Sequence, residues 1–170
     1  MKSPYLINKE EFQKLYKPIN PQTHKGTQGH AVIIAGSYGK IGAAVLASKS
    51  CLKTGCGLVT TFIPKCGYQI LQISIPEVMT VTDENTNFIT NIHLLLIPQA
   101  VGIGPGIGKE LGTQKALFEF LRVNKAPLVL DADALNIISE NLSWLELVPE
   151  DTILTPHPKE LERLIGKWNS

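Results

Sequence analysis

Along the chain the apolar positions switch repeatedly between two periods, and each switch marks an element. His30 to Ala35, Leu58 to Ile63, Val78 to Thr82, Ala100 to Ile103, Pro127 to Leu130 and Ile153-Leu154 are short runs of β-branched and apolar residues. Such runs predict buried strands. Between them, apolar residues recur every three or four positions, as one face of a helix requires. Ile41, Ala44, Val45, Ser48 and Leu52 predict a helix that Gly55 or Gly57 closes. Lys65 to Ile73 predicts a short helix. Leu117, Phe120 and Leu121 supply the inward stripe of a helix over Thr113 to Val123. Asp133 to Ile138 and Lys159 to Ile165 predict two more, the last ended by Gly166. Near the N-terminus, Asn8 as N-cap and Glu11 three residues on have the capping-box spacing. They predict a helix from Asn8 to Tyr16, stopped by Pro18 and Pro21. Asp83 to Thr90 reads as a polar loop, and Asn91 to Leu96 fits either helix or strand.

Strand, turn, helix, strand in repetition predicts βαβ units. The expected fold class is α/β: three αβα layers on a mostly parallel sheet covered on both faces. No linker, internal repeat or low-complexity stretch divides residues 1–170, so a single domain is expected. In such a sheet, ligands bind beyond the carboxyl ends of the strands. The segments richest in unusual residues all fall there: Gly36 to Gly42, Gly104 to Gly108, Asp131 to Asp133, and Thr155 to His157.

Composition narrows the function. The net charge is +1 and aromatic residues make up 6%, which argues against a nucleic-acid surface. No apolar run approaches the ~18–20 residues of a membrane span, and Met1 to Phe12 lacks the apolar core of a signal peptide. Cys51, Cys56 and Cys66 lack metal-ligand spacing, so reduced thiols and a cytoplasmic location are expected, with no metal site. Of the 14 glycines, 11 lie in residues 26–42, 55–57 and 102–108.

Gly36-Ser37-Tyr38-Gly39-Lys40-Ile41-Gly42 joins a strand to a helix start, where backbone N–H groups and the helix dipole favour an anion. It is neither a P-loop nor the G-x-G-x-x-G fingerprint, so a tight structural turn and a phosphate or ribose site are equally open. Gly102 to Gly108 has a glycine at every second position, more than a turn needs. A backbone lying flat against a ligand fits that pattern. Asp131 at a strand end suits a base or a hydroxyl or Mg²⁺ contact, and Asp133 suits an N-cap. His157 lies between two prolines and could hydrogen-bond a substrate. Glu160 reads as a first-turn carboxylate that favours the helix dipole. Lys25, before the first strand, could reach an anionic ligand from a loop.

Together, HKGTQGHAVIIAGSYGKIGAAVLASKSCLKTGCGLVT (24–60), IPEVM (75–79), VGIGPGIG (101–108), PLVLDADALN (127–136) and ILTPHPKELERLIG (153–166) resemble one family. It is the ATP- or ADP-dependent NAD(P)H-hydrate dehydratases, the YjeF carboxy-terminal domain of the ribokinase-like superfamily. The resemblance implies repair of hydrated NADH or NADPH at the expense of an adenine nucleotide, ATP or ADP, with Mg²⁺. The ring hydroxyl is phosphorylated and phosphate is then eliminated. It implies substrate contacts at Ala43, Gly106 and His157. Lys25, Gly104, Gly108, Asp131 and Asn136 fall in the same motifs and complete the candidate set.

The family continues into L-K-G and G-T-G-D segments that hold the nucleotide and the catalytic Asp. The resemblance puts that Asp beyond Ser170, the last residue of this sequence. No G-T-G-D or G-S-G-D occurs before Ser170, so no catalytic residue is assigned. Lys159 stands where the family usually has Gly. An incomplete domain, and self-association into a homo-oligomer through uncovered apolar surface, are therefore expected. A non-catalytic binding fragment and a ribokinase-like kinase for a small alcohol are the alternatives, the kinase disfavoured by IPEVM.

Overall fold

The computed structural model describes residues 6–16, 18, 22–94 and 96–167. Its centre is a six-stranded sheet whose pairings are all parallel. The strands are β1 (His30–Ile34), β2 (Leu58–Ile63), β3 (Met79–Thr82), β4 (Ala100–Ile103), β5 (Leu128–Leu130) and β6 (Ile153–Leu154). The helices are α1 (Lys9–Leu15), α2 (Ile41–Lys53), α3 (Tyr68–Ser74), α4 (Leu111–Val123), α5 (Ala132–Glu140) and α6 (Pro158–Ile165). Every strand and helix expected from the periodicity forms, within a few residues of its expected ends. Asn91 to Leu96 is the exception. Its described residues are neither helix nor strand, and Leu95, like Pro21, lies outside the described set. Ser170, beyond which the family's catalytic Asp is expected, also lies outside the described residues. The described residues between Asn91 and β4 form no helix or strand. The 3₁₀ segment Leu142–Leu147 was not foreseen.

The order across the sheet is β3-β2-β1-β4-β5-β6. The chain winds outward from β1 to β3, crosses back through residues 83–99, and winds outward again from β4 to β6. The strand order therefore reverses between β1 and β4. In open parallel sheets, that switch point is where a crevice opens.

Alternation sorts the strands onto two faces. Val32, Ile34, Val101, Ile103, Leu128 and Leu130 are buried against α4 and α5, with Leu117, Phe120, Leu135 and Ile138 opposite. Each such side chain contributes roughly 1.5–3 kcal/mol of burial. On the other face, Ile41 and Ala44 of α2, Leu71 of α3 and Ile75 just after it cover Val59 and Ile63. A hydrogen bond of 2.6 Å between the buried hydroxyls of Ser48 and Thr61 pins α2 to β2. That cover stops short. Ala31, Ile33, Ala100, Gly102 and Val129 share this face but stay half-exposed, and Ile153 is 59% exposed. An apolar cavity of about 290 Å³ lies over them, walled on one side by Ala47 and Cys51 of α2.

Candidate functional site

The turns after β1 and β4 meet at the switch point. Gly36 N–H donates to Pro105 O at 2.8 Å, the Ser37 hydroxyl to Gly106 O at 2.7 Å, and Gly104 N–H to Ile34 O at 3.1 Å. Gly106 backs directly onto the start of α2. A Cβ on it would lie 3.0 Å from Ala43 Cβ and 3.1 Å from Lys40 O. Ala43 and Gly106, separated by 62 intervening residues of chain, are thus neighbours. Gly104 is held more tightly still. With φ at +131°, a Cβ there would lie 1.8 Å from Asp131 O, so the β4 turn is wedged against the start of α5.

The helices differ in how they start. α1 is capped by the Asn8 side chain and α6 by His157, whereas no side chain caps α2, α4 or α5. The positive end of the α2 dipole therefore points toward the carboxyl edge of the sheet with no side-chain cap and no acidic residue in its first turn, whereas α5 carries Asp133 in its first turn. Asp131 occupies the N-cap position of α5, but its Oδ1 accepts from the Thr155 hydroxyl at 2.7 Å instead, tying the β5 and β6 ends together. Asp133, expected as the cap, is displaced from that role because α5 starts one residue earlier than the pattern suggests. Asp133 Oδ2 accepts from Gly108 N–H at 2.9 Å and lies 3.6 Å from Lys40 Nζ. One carboxylate thus spans both glycine turns. Ala132, between the two aspartates, has φ of +48°. A non-glycine residue in that region stores strain of about 1–3 kcal/mol, a feature that clusters at functional sites.

His157 caps α6. Its Nδ1 accepts from Lys159 N–H at 3.2 Å, and its Nε2 lies 3.3 Å from Glu160 Oε1. Glu160 Oε2 accepts from His157 N–H at 3.0 Å, and the Glu160 side chain is buried. Glu160 therefore does more than favour the helix dipole, because it fixes the ring of His157. That ring remains more than half exposed, with its Nε2 beside the Glu160 carboxylate.

Two of the sequence candidates lie away from this cluster or are engaged elsewhere. Lys25 opens a 3₁₀ turn whose carbonyl packs against Gly57, just before β2. It sits at the amino end of β1 and β2, the edge opposite the glycine turns. Asn136 Oδ1 accepts from Arg163 Nη1 at 2.6 Å, joining α5 to α6. Sequence reasoning missed Ser37, Lys40 and the buried Asp83. A hydroxyl inside a glycine turn was the available signal for Ser37, and nothing local marked Asp83. The apolar cavity runs up to the cluster, its rim formed by Pro105, Asp131 and Thr155. Among the described residues no group of three or more His, Cys, Asp or Glu side chains could hold a metal ion. The three cysteines are free and half-buried. No helix among the described residues is long and apolar enough to cross a membrane.

Comparison with known proteins places this geometry. Residues 31–170 match the Carb_kinase family, described as NAD(P)H-hydrate dehydratase. An ADP-dependent (S)-NAD(P)H-hydrate dehydratase of Lactococcus lactis is 34% identical over 94% of the chain. Among solved structures, a ribokinase-like superfamily protein from Enterococcus faecalis superposes with a TM-score of 0.79 at 25% identity over 96% of the chain. The ADP/ATP-dependent NAD(P)H-hydrate dehydratase of Bacillus subtilis, co-crystallised with ATP/Mg²⁺, superposes with a TM-score of 0.72 at 25% identity over 94% of the chain. The chain covers 59% and 55% of those two chains and 57% of the Lactococcus protein, so it spans just over half their length. The family match and the shared ribokinase-like α/β sheet together show that the chain belongs to the NAD(P)H-hydrate dehydratase family.

Proposed function

We propose that the paired glycine turns receive hydrated NADH or NADPH, and that the chain supplies the substrate side of an ATP- or ADP-dependent dehydration. The observation that carries this reading is the contact of Gly106 with Ala43 at the switch point, beside the uncapped start of α2. Flat glycine backbone admits a planar ring, and helix-start amides suit the dinucleotide's phosphates. In this reading Gly104, Gly108, Asp131 and His157 complete the substrate contacts, and Asp131 lines the adjoining cavity.

In this reaction the nucleotide's terminal phosphoryl group passes to the ring hydroxyl, and phosphate then leaves with a ring proton to restore the double bond. This chain's residues bind and orient the hydrate. No residue up to Ser170 is assigned as the base that takes the proton. The described residues offer no group of three or more His, Cys, Asp or Glu side chains for Mg²⁺, and no step is assigned to one.

Titration with acid-hydrated NADH by calorimetry tests the reading. Saturable binding, at least tenfold tighter than NADH or a small alcohol, is expected, and equal affinity for all three overturns it. Restored nicotinamide absorbance with ATP or ADP would mark the chain as catalytic, whereas binding without turnover marks a binding unit. The uncovered apolar face supports self-association, which sedimentation at several concentrations tests.

A further inference from the structure

We propose that Asp83 is a positioning residue. It knots the crossover between β3 and β4 into a brace that seats the first glycine turn and α4, the helix that follows the second. The proposal rests on the reading above that the glycine turns hold the hydrated dinucleotide.

Asp83 is 1% exposed at the carboxyl end of β3, next to none of the motif residues in sequence. Four donors converge on its carboxylate. Oδ1 accepts from Asn85 N–H at 2.6 Å and from the Thr90 hydroxyl at 2.8 Å, and Oδ2 from Thr90 N–H at 2.6 Å and Asn91 N–H at 2.9 Å. Burial alone would push this carboxyl up. The donated hydrogen bonds from Asn85, Asn91 and Thr90 outweigh it and hold the group below its ordinary value. The buried charge is thus fully employed, and it closes residues 83–91 into a loop.

Inside that loop Asn85 repeats the device, its Oδ1 accepting from Asn87 N–H at 2.9 Å and Phe88 N–H at 3.2 Å. The loop's outer carbonyls then face outward. Asn87 O accepts Tyr38 N–H at 2.7 Å, in the middle of the first glycine turn. Asn85 O and Thr86 O accept Lys65 N–H and Cys66 N–H after β2, at 3.0 and 2.9 Å. On the other flank, Ile89 O accepts the buried Thr113 hydroxyl of α4 at 2.9 Å. Phe88 and Thr90 pack at Gly112, where an added Cβ would meet Phe88 at 3.1 Å. α4 follows directly from the second glycine turn. The loop therefore touches both halves of the sheet across the switch point, and Asp83 determines its shape. Loop side chains alone could not do this at such depth, because each buried donor needs an acceptor.

The test is amide hydrogen exchange of the ligand-free chain, wild type against Asp83→Asn. The amide side chain of asparagine places an N–H₂ where one set of donors points. Exchange at Tyr38, Lys65 and Cys66 is expected to quicken at least tenfold, while Asp131, bonded to Ile103 O in the far half, is unchanged. Asn85→Ala, which spares the buried carboxylate, should quicken Tyr38 in the same way if Asp83→Asn fails to fold. Hydrated NADH should bind each variant at least tenfold more weakly. Tyr38 exchange unchanged in Asn85→Ala, or quickened equally at Asp131, overturns the proposal. So does unaltered hydrate affinity alongside altered exchange. A wild-type chain that binds no hydrate would remove the functional reading instead, since exchange is read without ligand.

Discussion

Three glycines of the site separate two physical terms that a single substitution confounds. Gly42 lies in the first turn of α2 with ordinary φ and nothing within 4 Å of an added Cβ. Gly39 has φ of +79° and the same open surroundings. Gly104 has φ of +131° and would place a Cβ 1.8 Å from Asp131 O and 2.9 Å from Ala134 Cβ. Replacing Gly42 by Ala removes backbone freedom from the unfolded chain and should stabilise by about 0.4–1 kcal/mol. Gly39→Ala adds only the left-handed penalty, roughly 1–2 kcal/mol. Gly104→Ala adds a φ penalty of about 1–3 kcal/mol and an overpacking cost of about 1–3 kcal/mol, because Asp131 O is backbone and cannot swing aside. The expected loss is thus about 2–6 kcal/mol, a large share of the ~5–15 kcal/mol that holds a domain together. At about 2–4 °C per kcal/mol for a chain of this size, Gly104→Ala should melt at least roughly 4 °C below wild type. Urea denaturation of all three variants supplies the comparison, read at constant m. Equal losses for Gly39→Ala and Gly104→Ala would refute the claim that the β4 turn is wedged against α5.

Other outcomes follow from single groups. The Asp83 carboxyl titrates below its ordinary value of 3.8, so its ionised form favours the fold. The stability it contributes is present above that value and lost as the pH falls toward the lower folded one. The acid-side fall in urea midpoint should accordingly be shallower in Asp83→Asn. Burial, then the neighbouring Cys56, pushes the Cys51 thiol up to about 11. At pH 8 only about one molecule in a thousand is then thiolate, and mass mapping should find Cys51 alkylated at least tenfold slower in the native chain than in denaturant. Glu160→Ala removes half of the α6 capping box and should cost about 0.5–2 kcal/mol in chemical denaturation, with faster exchange at His157 N–H.

What the sequence determined by itself was local. Periods of two and of three to four placed the strands and helices, because side-chain direction along an element depends only on the neighbouring residues. It also put every suspect turn at a strand's carboxyl end, since β-branched runs stop where glycine, Asp131 or Thr155 begins. The tertiary structure decided which ends meet. Strand order rests on what each face can bury, and the β3-β2-β1-β4-β5-β6 order alone brings Gly106 against Ala43 and sends Lys25 to the far edge. The same holds for Asp133, whose partners Gly108 and Lys40 come from other elements, and for the start of α5, fixed by packing against Gly104. Asp83 shows the limit most clearly. Its sequence surroundings read as a polar loop, and only the closed fold shows a buried carboxylate collecting four donors at the end of the edge strand β3. Hydrogen bonds between distant segments leave no periodic trace in a chain, so they become legible only when the chain is folded.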